Sequence, residues 1–249
     1  MNSVRAISVF GVSKSFRHRG SGLLREQLSR WISGSHKRNP FYALKHISFD
    51  VHRGESVAVV GANGSGKSTL LSLVCGLTTP DSGMIHVDGR VAALLDLGSG
   101  LHFDLTGAEN LRLNASLLGL SRFRTEMLFD KIVEFAELGD FIHEPLRTYS
   151  TGMVMRLTFA VAMHVDPDVL VVDEVLAVGD RAFQQKCFEK MMSFRQAGHT
   201  LLVVSHSGPM LREICSRAIW LDHGNLIQDG EINSVLEMYE QRRPTAVLE

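Results

Sequence analysis

Cysteine is scarce in this chain of 249 residues. Cys75, Cys187 and Cys215 lie far apart and show no metal-ligand spacing. An odd count without a framework excludes a disulfide-stapled secreted scaffold and reads as reduced thiols inside a cell. Cys75 falls in an apolar helical stretch, where packing is its expected role. An excess of charge of one sign is lacking too. With 26 Lys and Arg against 27 Asp and Glu, the formal net charge is -1, which argues against a dedicated nucleic-acid binder. No run approaches the roughly 18 consecutive apolar residues of a spanning helix. No N-terminal stretch has the charged-then-apolar order of a signal peptide, and no internal repeat is visible. A chain that is soluble by itself, with one globular domain of ordinary composition, is expected.

What is there begins with a local asymmetry. From Arg5 to Lys45 the chain carries nine Lys and Arg residues and one acid, Glu26. Strand-like runs at residues 4–12 and 43–52 flank a basic, glycine-bounded segment, RHRGSGLLREQLSRWISGSHKRNP. Within it Leu24, Leu28, Trp31 and Ile32 recur at helical spacing, which predicts a short amphipathic helix. Such a helix either packs on its own domain or rests at a membrane surface or against a membrane subunit.

Farther along, residues 68–74 read as a helix, TPDSG as a turn, and MIHVDG as a hairpin strand ending at Gly89. Thr106 and Glu109 form a capping box that opens a helix near Gly107, and the pattern stays helical to about Val165. VLVVD, residues 169–173, is a continuous apolar run that suits a strand buried on both faces. A helix over Arg181–Gln196, a strand over Thr200–Val204, a helix over Pro209–Ser216 and a strand over Ala218–Asp222 follow. A last helix runs from about Asn233 to Arg242. Strands alternating with helices around an all-helical insert predict an α/β core with a helical subdomain.

The sharpest local signal is GANGSGKST, residues 61–69, directly after the strand-like SVAVV. Gly61, four residues, then Gly66, Lys67 and Ser68 fit the phosphate-loop spacing. Glycines let successive backbone N–H groups point at an anion, and the following helix presents its positive end. The loop from Gly61 through Asn63, Gly64, Ser65 and Gly66 to Thr69 is the expected nucleotide cradle. Lys67 would reach the β- and γ-phosphates, and Ser68 would place its hydroxyl on Mg²⁺. Asp173, at the end of its buried strand, would hold the same Mg²⁺ through water. Glu174 stands where a general base for an attacking water belongs.

Between these two elements stands Tyr149-Ser150-Thr151-Gly152-Met153, at the head of the helical run TGMVMRLTFAVAMHV. In the order phosphate loop, YSTGM, VLVVDE, the chain resembles the ABC ATPases, with YSTGM a variant of their signature motif. The family's motifs cover residues 4 to about 225. The resemblance implies a P-loop NTPase (RecA-like) α/β core with an antiparallel β subdomain and an inserted helical signature subdomain. On that reading residues 1–249 are one nucleotide-binding domain, with a basic insertion over 17–40 and the helical subdomain over about 105–165. It further implies that ATP with Mg²⁺ is the substrate. Ser150, Thr151, Gly152 and Met153 would cap the γ-phosphate held by the opposite subunit of a head-to-tail homodimer. Asp180 would end the interface loop LAVGD, and His206, after LLVVS, would be the switch histidine beside Glu174. Phe16 is the expected adenine platform, with Tyr42 the alternative.

One departure from the family is informative. Its usual glutamine after the strand that follows the phosphate-loop helix is missing from VAALLDLGSGLHFDLTGAENL, where Asp96 is the nearest stand-in. That segment, the YSTGM variant and the amphipathic insertion are similar to one subgroup, the ATP-binding subunits of bacterial polysaccharide exporters. The resemblance implies a peripheral ATPase at the cytoplasmic face of the inner membrane. Two copies of a membrane-spanning permease would be its partners, and a lipid-linked O-antigen, capsule or teichoic acid polymer the cargo. The chain ends at Glu249 just after its core, so no C-terminal carbohydrate-binding domain is expected. An exporter of a lipid, drug or peptide, and a soluble ABC ATPase, remain the alternatives.

Overall fold

The computed structural model describes residues 4–16, 40–94, 100–173, 180–205 and 207–242. The amphipathic insertion, Asp96, Glu174 and His206 lie outside these residues. Two sheets carry the described strands. In the first, β1 (Arg5–Phe16) runs antiparallel between β2 (Phe41–His52) and β4 (Ser82–Val87). In the second, the order is β5 (Val91–Leu94), β6 (Val169–Asp173), β7 (Thr200–Val204), β3 (Ser56–Val60), β8 (Arg217–Asp222) and β9 (Asn225–Glu231). Its first five strands are parallel, and β9 closes the edge antiparallel to β8.

Every residue of β3 and β7 is buried, as are the first four of β6. Because side chains alternate between faces, each apolar run feeds two cores at once. Ala58, Val60, Leu170, Val172 and Val203 meet α5 (Arg181–Gln196), α6 (Gly208–Ile214) and α7 (Ile232–Arg242) on one face. On the other face Val57, Val59, Val171 and Leu202 meet Leu70, Leu71 and Val74 of α1 (Lys67–Val74), together with the antiparallel sheet. Each such Val or Leu contributes on the order of 1.5–3 kcal/mol by leaving water. A covered parallel sheet of this kind fixes the ends of its strands firmly, and those ends carry the site.

A third cluster lies within the run from Gly107 to His164. It packs α2 (Gly107–Leu117), α3 (Arg122–Ala136) and α4 (Thr151–His164) through Leu111, Ile132, Ala136, Leu157 and Val161. Short 3-10 turns at Gly139–His143 and Leu146–Thr148 join α3 to α4. The Thr106–Glu109 capping box forms in full: Glu109 N donates to Thr106 Oγ1 at 3.2 Å, and Thr106 N donates to Glu109 Oε2 at 2.8 Å.

The strands depart from the sequence expectation in four ways, the first being β5, which has no counterpart among the expected strands. MIHVDG is not half of a hairpin with its successor; β4 pairs with β1, placing Phe10 opposite Met84. β1 runs to Phe16 rather than Val12, its register shifting at several bulges on the way. β9 was not expected at all. Its residues alternate between exposed and half-buried, as suits an edge strand with one open side, so it lacks the apolar run that marks a strand.

The cysteines pack as expected. Cys187 and Cys215 sit in the first core, and Cys75 closes α1 half-buried against the second. Burial pushes each thiol up to about 12.

Candidate functional site

The phosphate-type loop leaves β3 after Val60 and enters α1 at Lys67. Two glycines make that path possible. A Cβ on Gly61 would collide with the Leu221 carbonyl oxygen and the Ser65 hydroxyl. Gly66 has a φ of 110°, and a Cβ there would strike the Ala43 carbonyl. Gly66 caps α1 without any side-chain hydrogen bond, so the positive end of the helix faces the loop rather than a capping oxygen. Lys67 is buried, and its Nζ folds back to donate to Gly61 O at 2.8 Å and Ala62 O at 3.1 Å.

In front of this loop lies a cleft of about 420 Å³, lined by Phe16, Phe41, Ala43, Asn63, Gly64, Gly66, Lys67, Ser68 and Thr69. Gly61 and Ser65 are not among the residues that line it. Phe16 and Phe41 are paired across the β1–β2 ribbon and about half exposed. Tyr42 pairs with Ser15 and, unlike Phe41, does not line the cleft. Asp81 fastens the end of β1 beside Phe16. It accepts from Ser15 N and Ser15 Oγ, both at 2.7 Å, and from Lys14 Nζ at 3.1 Å. The Ser15 bonds lead in holding its carboxyl down to about 2.

Ser68 and Asp173 meet. Ser68 Oγ lies 3.5 Å from Asp173 Oδ2, at the junction of α1 with the end of β6. The donors gathered there are oxygens, which suits a hard divalent cation. Among the described residues no group of three His, Cys, Asp or Glu gathers. The loop also fits a polyphosphate. The Ser65 hydroxyl is buried without a partner within it, and glycines line the approach.

The YSTGM segment stands apart from this cleft. Ser150 caps α4, accepting from Met153 N at 3.2 Å, while Thr151 and Gly152 form the first turn. Tyr149 anchors the segment from behind: its hydroxyl donates to Phe141 O at 2.5 Å, and its ring covers Gly107. Burial pushes this phenol up to about 12. None of residues 149–153, nor Asp180, lines the cleft. Asp180 instead caps α5, its Oδ1 accepting from Phe183 N at 2.9 Å, and its Oδ2 pairs with Arg156 at 2.5 Å. The Phe183 N–H, with Arg156 adding to it, holds its carboxyl below the usual range.

Phe41, which lines the cleft, and Arg156, which pairs with Asp180, are not among the residues the sequence singled out. Phe41 could have been found from the ribbon register once Phe16 was chosen. Arg156 carries no local signal, since its partners come from distant helix ends.

Comparison with known proteins agrees with this geometry. The family model described as ABC transporter matches residues 44–177. The O-antigen export system ATP-binding protein RfbB of Klebsiella pneumoniae is 47% identical over 205 residues, 82% of this chain and 83% of that protein. RfbB of Myxococcus xanthus is 44% identical over 246 residues; these are 96% of this chain but only 56% of that longer protein. Among solved structures, the dimeric ATP-binding cassette MJ0796 in a post-hydrolysis state, bound to ADP and Pi, superimposes with a TM-score of 0.73. It is 20% identical, and the match covers 91% of this chain and 98% of that one. That likeness establishes the fold, and the family match takes in the phosphate loop, the capped helix start and Asp173 together. On those grounds the chain is a member of the ABC transporter family.

Proposed function

We propose that this chain is the ATP-hydrolysing subunit of an exporter that moves a lipid-linked polysaccharide, such as an O-antigen, across the cytoplasmic membrane. It works as a homodimer on the cytoplasmic face beneath two copies of a membrane-spanning permease. The observation that carries the chemical part is the meeting of Ser68 and Asp173 beside the Lys67 loop. That pair would hold Mg²⁺, which when bound would supply positive charge to offset the phosphate charge during hydrolysis. Asn63, Gly64, Gly66 and Thr69 present backbone and side-chain donors to the phosphates, and Phe16 stacks on the base. Lys67 exchanges its two carbonyl partners for phosphate oxygens. Glu174 takes the proton of the attacking water and His206 orients it.

The N-terminus of α4, with Ser150, Thr151, Gly152 and Met153, completes the site of the opposite subunit. In its favour, this helix start is capped and exposed, yet contributes nothing to the cleft of its own chain. The polysaccharide cargo is supported by the export-system relatives. No described helix is long and apolar enough to cross a membrane; the membrane-spanning partner is supported by the names of the export-system relatives.

The decisive experiment is Glu174→Gln. Losing a general base should lower turnover by on the order of 10²–10⁴ while ATP still binds. The variant should then collect as an ATP-dependent dimer on size exclusion. Wild-type turnover in this variant sinks the assignment. For the cargo, a chromosomal Lys67→Ala should abolish surface polysaccharide while the lipid-linked polymer accumulates inside; unchanged surface polymer points to another substrate.

A further inference from the structure

Arg156 joins three helices at one point. It lies on α4, six residues beyond the Ser150 cap. Its Nη1 donates to Glu137 Oε2 at 2.9 Å and its Nη2 to Asp180 Oδ2 at 2.5 Å, while the guanidinium carbon sits 5.0 Å from the Phe183 ring centre. Glu137 closes α3, and Asp180 opens α5. The remaining oxygens are in use too. Glu137 Oε1 accepts from Lys186 Nζ at 2.9 Å, and Asp180 Oδ1 accepts from Phe183 N at 2.9 Å. Lys186 also donates to Phe135 O at 3.0 Å and lies over the Phe135 ring.

Two features separate this cluster from an ordinary surface ion pair. The Arg156 side chain is only 19% exposed, although its partners Glu137 and Asp180 are 48% and 61% exposed, so the guanidinium is the desolvated member that gains from both carboxylates. Glu137 adopts a φ of 54°, a left-handed conformation that glycine or asparagine takes far more cheaply at a helix end. A glutamate kept there at some backbone cost is the residue that receives both Arg156 and Lys186. Local strain is accepted where a carboxylate is needed.

We infer that Arg156 is a positioning residue for ATP hydrolysis, locking the Ser150–Gly152 helix start to the Asp180 cap of α5 so that both reach the opposite subunit's nucleotide as one rigid unit. This rests on the composite-site reading above. Arg156 touches no nucleotide in this scheme. It fixes the relative placement of two elements that do, through a planar fork that can serve two carboxylates at once. Lysine, a single point charge, can satisfy one of them. The ATP cleft of the same chain contains neither Arg156 nor its partners, so binding of ATP to the isolated subunit should not depend on it.

The test uses the full chain in four forms: Arg156→Ala, Arg156→Lys, Asp180→Asn and the control Ser150→Arg. Asp180→Asn keeps a capping oxygen for α5 but loses the charge that faces Arg156. Each is made alone and in the Glu174→Gln background. ATP affinity of the monomer should stay within about twofold of wild type, because that interaction is made elsewhere. By contrast kcat should fall about tenfold or more in Arg156→Ala and less in Arg156→Lys and Asp180→Asn, since an interaction needed only in the closed dimer is lost. The ATP-trapped dimer should weaken in the same order. ATP affinity falling in step with kcat, or kcat falling only as the folded fraction falls, overturns the inference. If Arg156→Ala does not fold, Arg156→Lys and Asp180→Asn decide by the same two criteria. Ser150→Arg separates the levels. A dimer lost in Ser150→Arg but intact in the Arg156 and Asp180 variants refutes the positioning role alone. A dimer intact in all of them refutes the composite site as well.

Discussion

Ser68 Oγ and Asp173 Oδ2 stand 3.5 Å apart although 105 residues separate them in the chain. The contact exists because β6 and β3 end at the same edge of one parallel sheet, with β7 between them. If the pair holds Mg²⁺ against the phosphates, Asp173→Asn should weaken ATP binding about tenfold or more when Mg²⁺ is present, a loss near 1.4 kcal/mol. With the metal chelated, variant and wild type should bind alike. Titration with and without the ion measures both, and an equal loss under the two conditions means that the carboxylate shapes the loop instead.

The aromatic side of the cleft is ranked by the β1–β2 register. Phe16→Ala should weaken ATP binding by ~0.5–1.5 kcal/mol, the size of one aromatic stacking contact. Phe41→Ala should cost less, and Tyr42→Ala should leave affinity unchanged, because Tyr42 lies off the cleft. Calorimetry on the three variants gives the order; a loss largest at Tyr42 refutes it.

Asp81 gives a pH dependence. Its folded-state carboxyl is held down to about 2, first by Ser15 and then by Lys14, against roughly 3.9 for an unfolded aspartate. A depressed value means that the contribution is complete above the unfolded value and is lost as pH falls from about 4 toward 2. Asp81→Asn should therefore reduce stability at neutral pH and show a shallower loss between pH 4 and 2. Denaturant melts across that window test the sign. Because Asp81 fastens the β1 end that carries Phe16, the KM for ATP should also rise.

Behind the YSTGM segment, Tyr149 and Gly107 offer a stability comparison. Tyr149→Phe removes the donor to Phe141 O and should cost ~0.5–1.5 kcal/mol. Gly107→Ala should cost more, since the new methyl would drive into the phenol ring. Thermal melts that rank the two the other way would show that the ring shifts freely.

The site was legible in proportion to how local its signals are. The loop from Gly61 to Ser68 is a contiguous pattern whose glycines are each needed for a backbone reason, so spacing alone identified it. The Thr106–Glu109 cap and the strand at 169–173 were readable for the same reason. The partner of β4 was not, because a strand's neighbour depends on which edge is free, and here that edge belonged to β1, far back in the chain. Phe41 gained a role only through its register with Phe16. Within its own chain Asp180 engages both of its oxygens, one as a helix cap and one on Arg156. Those contacts bring together the ends of α3 and α5, which no short window of sequence relates.

The buried thiols have a practical consequence for assembling the proposed dimer. Burial pushes all three thiols up to about 12, which favours the protonated form at neutral pH, and the thiolate is the reactive species. A cysteine introduced at an exposed position, with an ordinary value near 8.5, would be far more ionised. Maleimide spectroscopic probes and bifunctional cross-linkers should therefore favour an engineered position over the buried Cys187 and Cys215, which can be left in place.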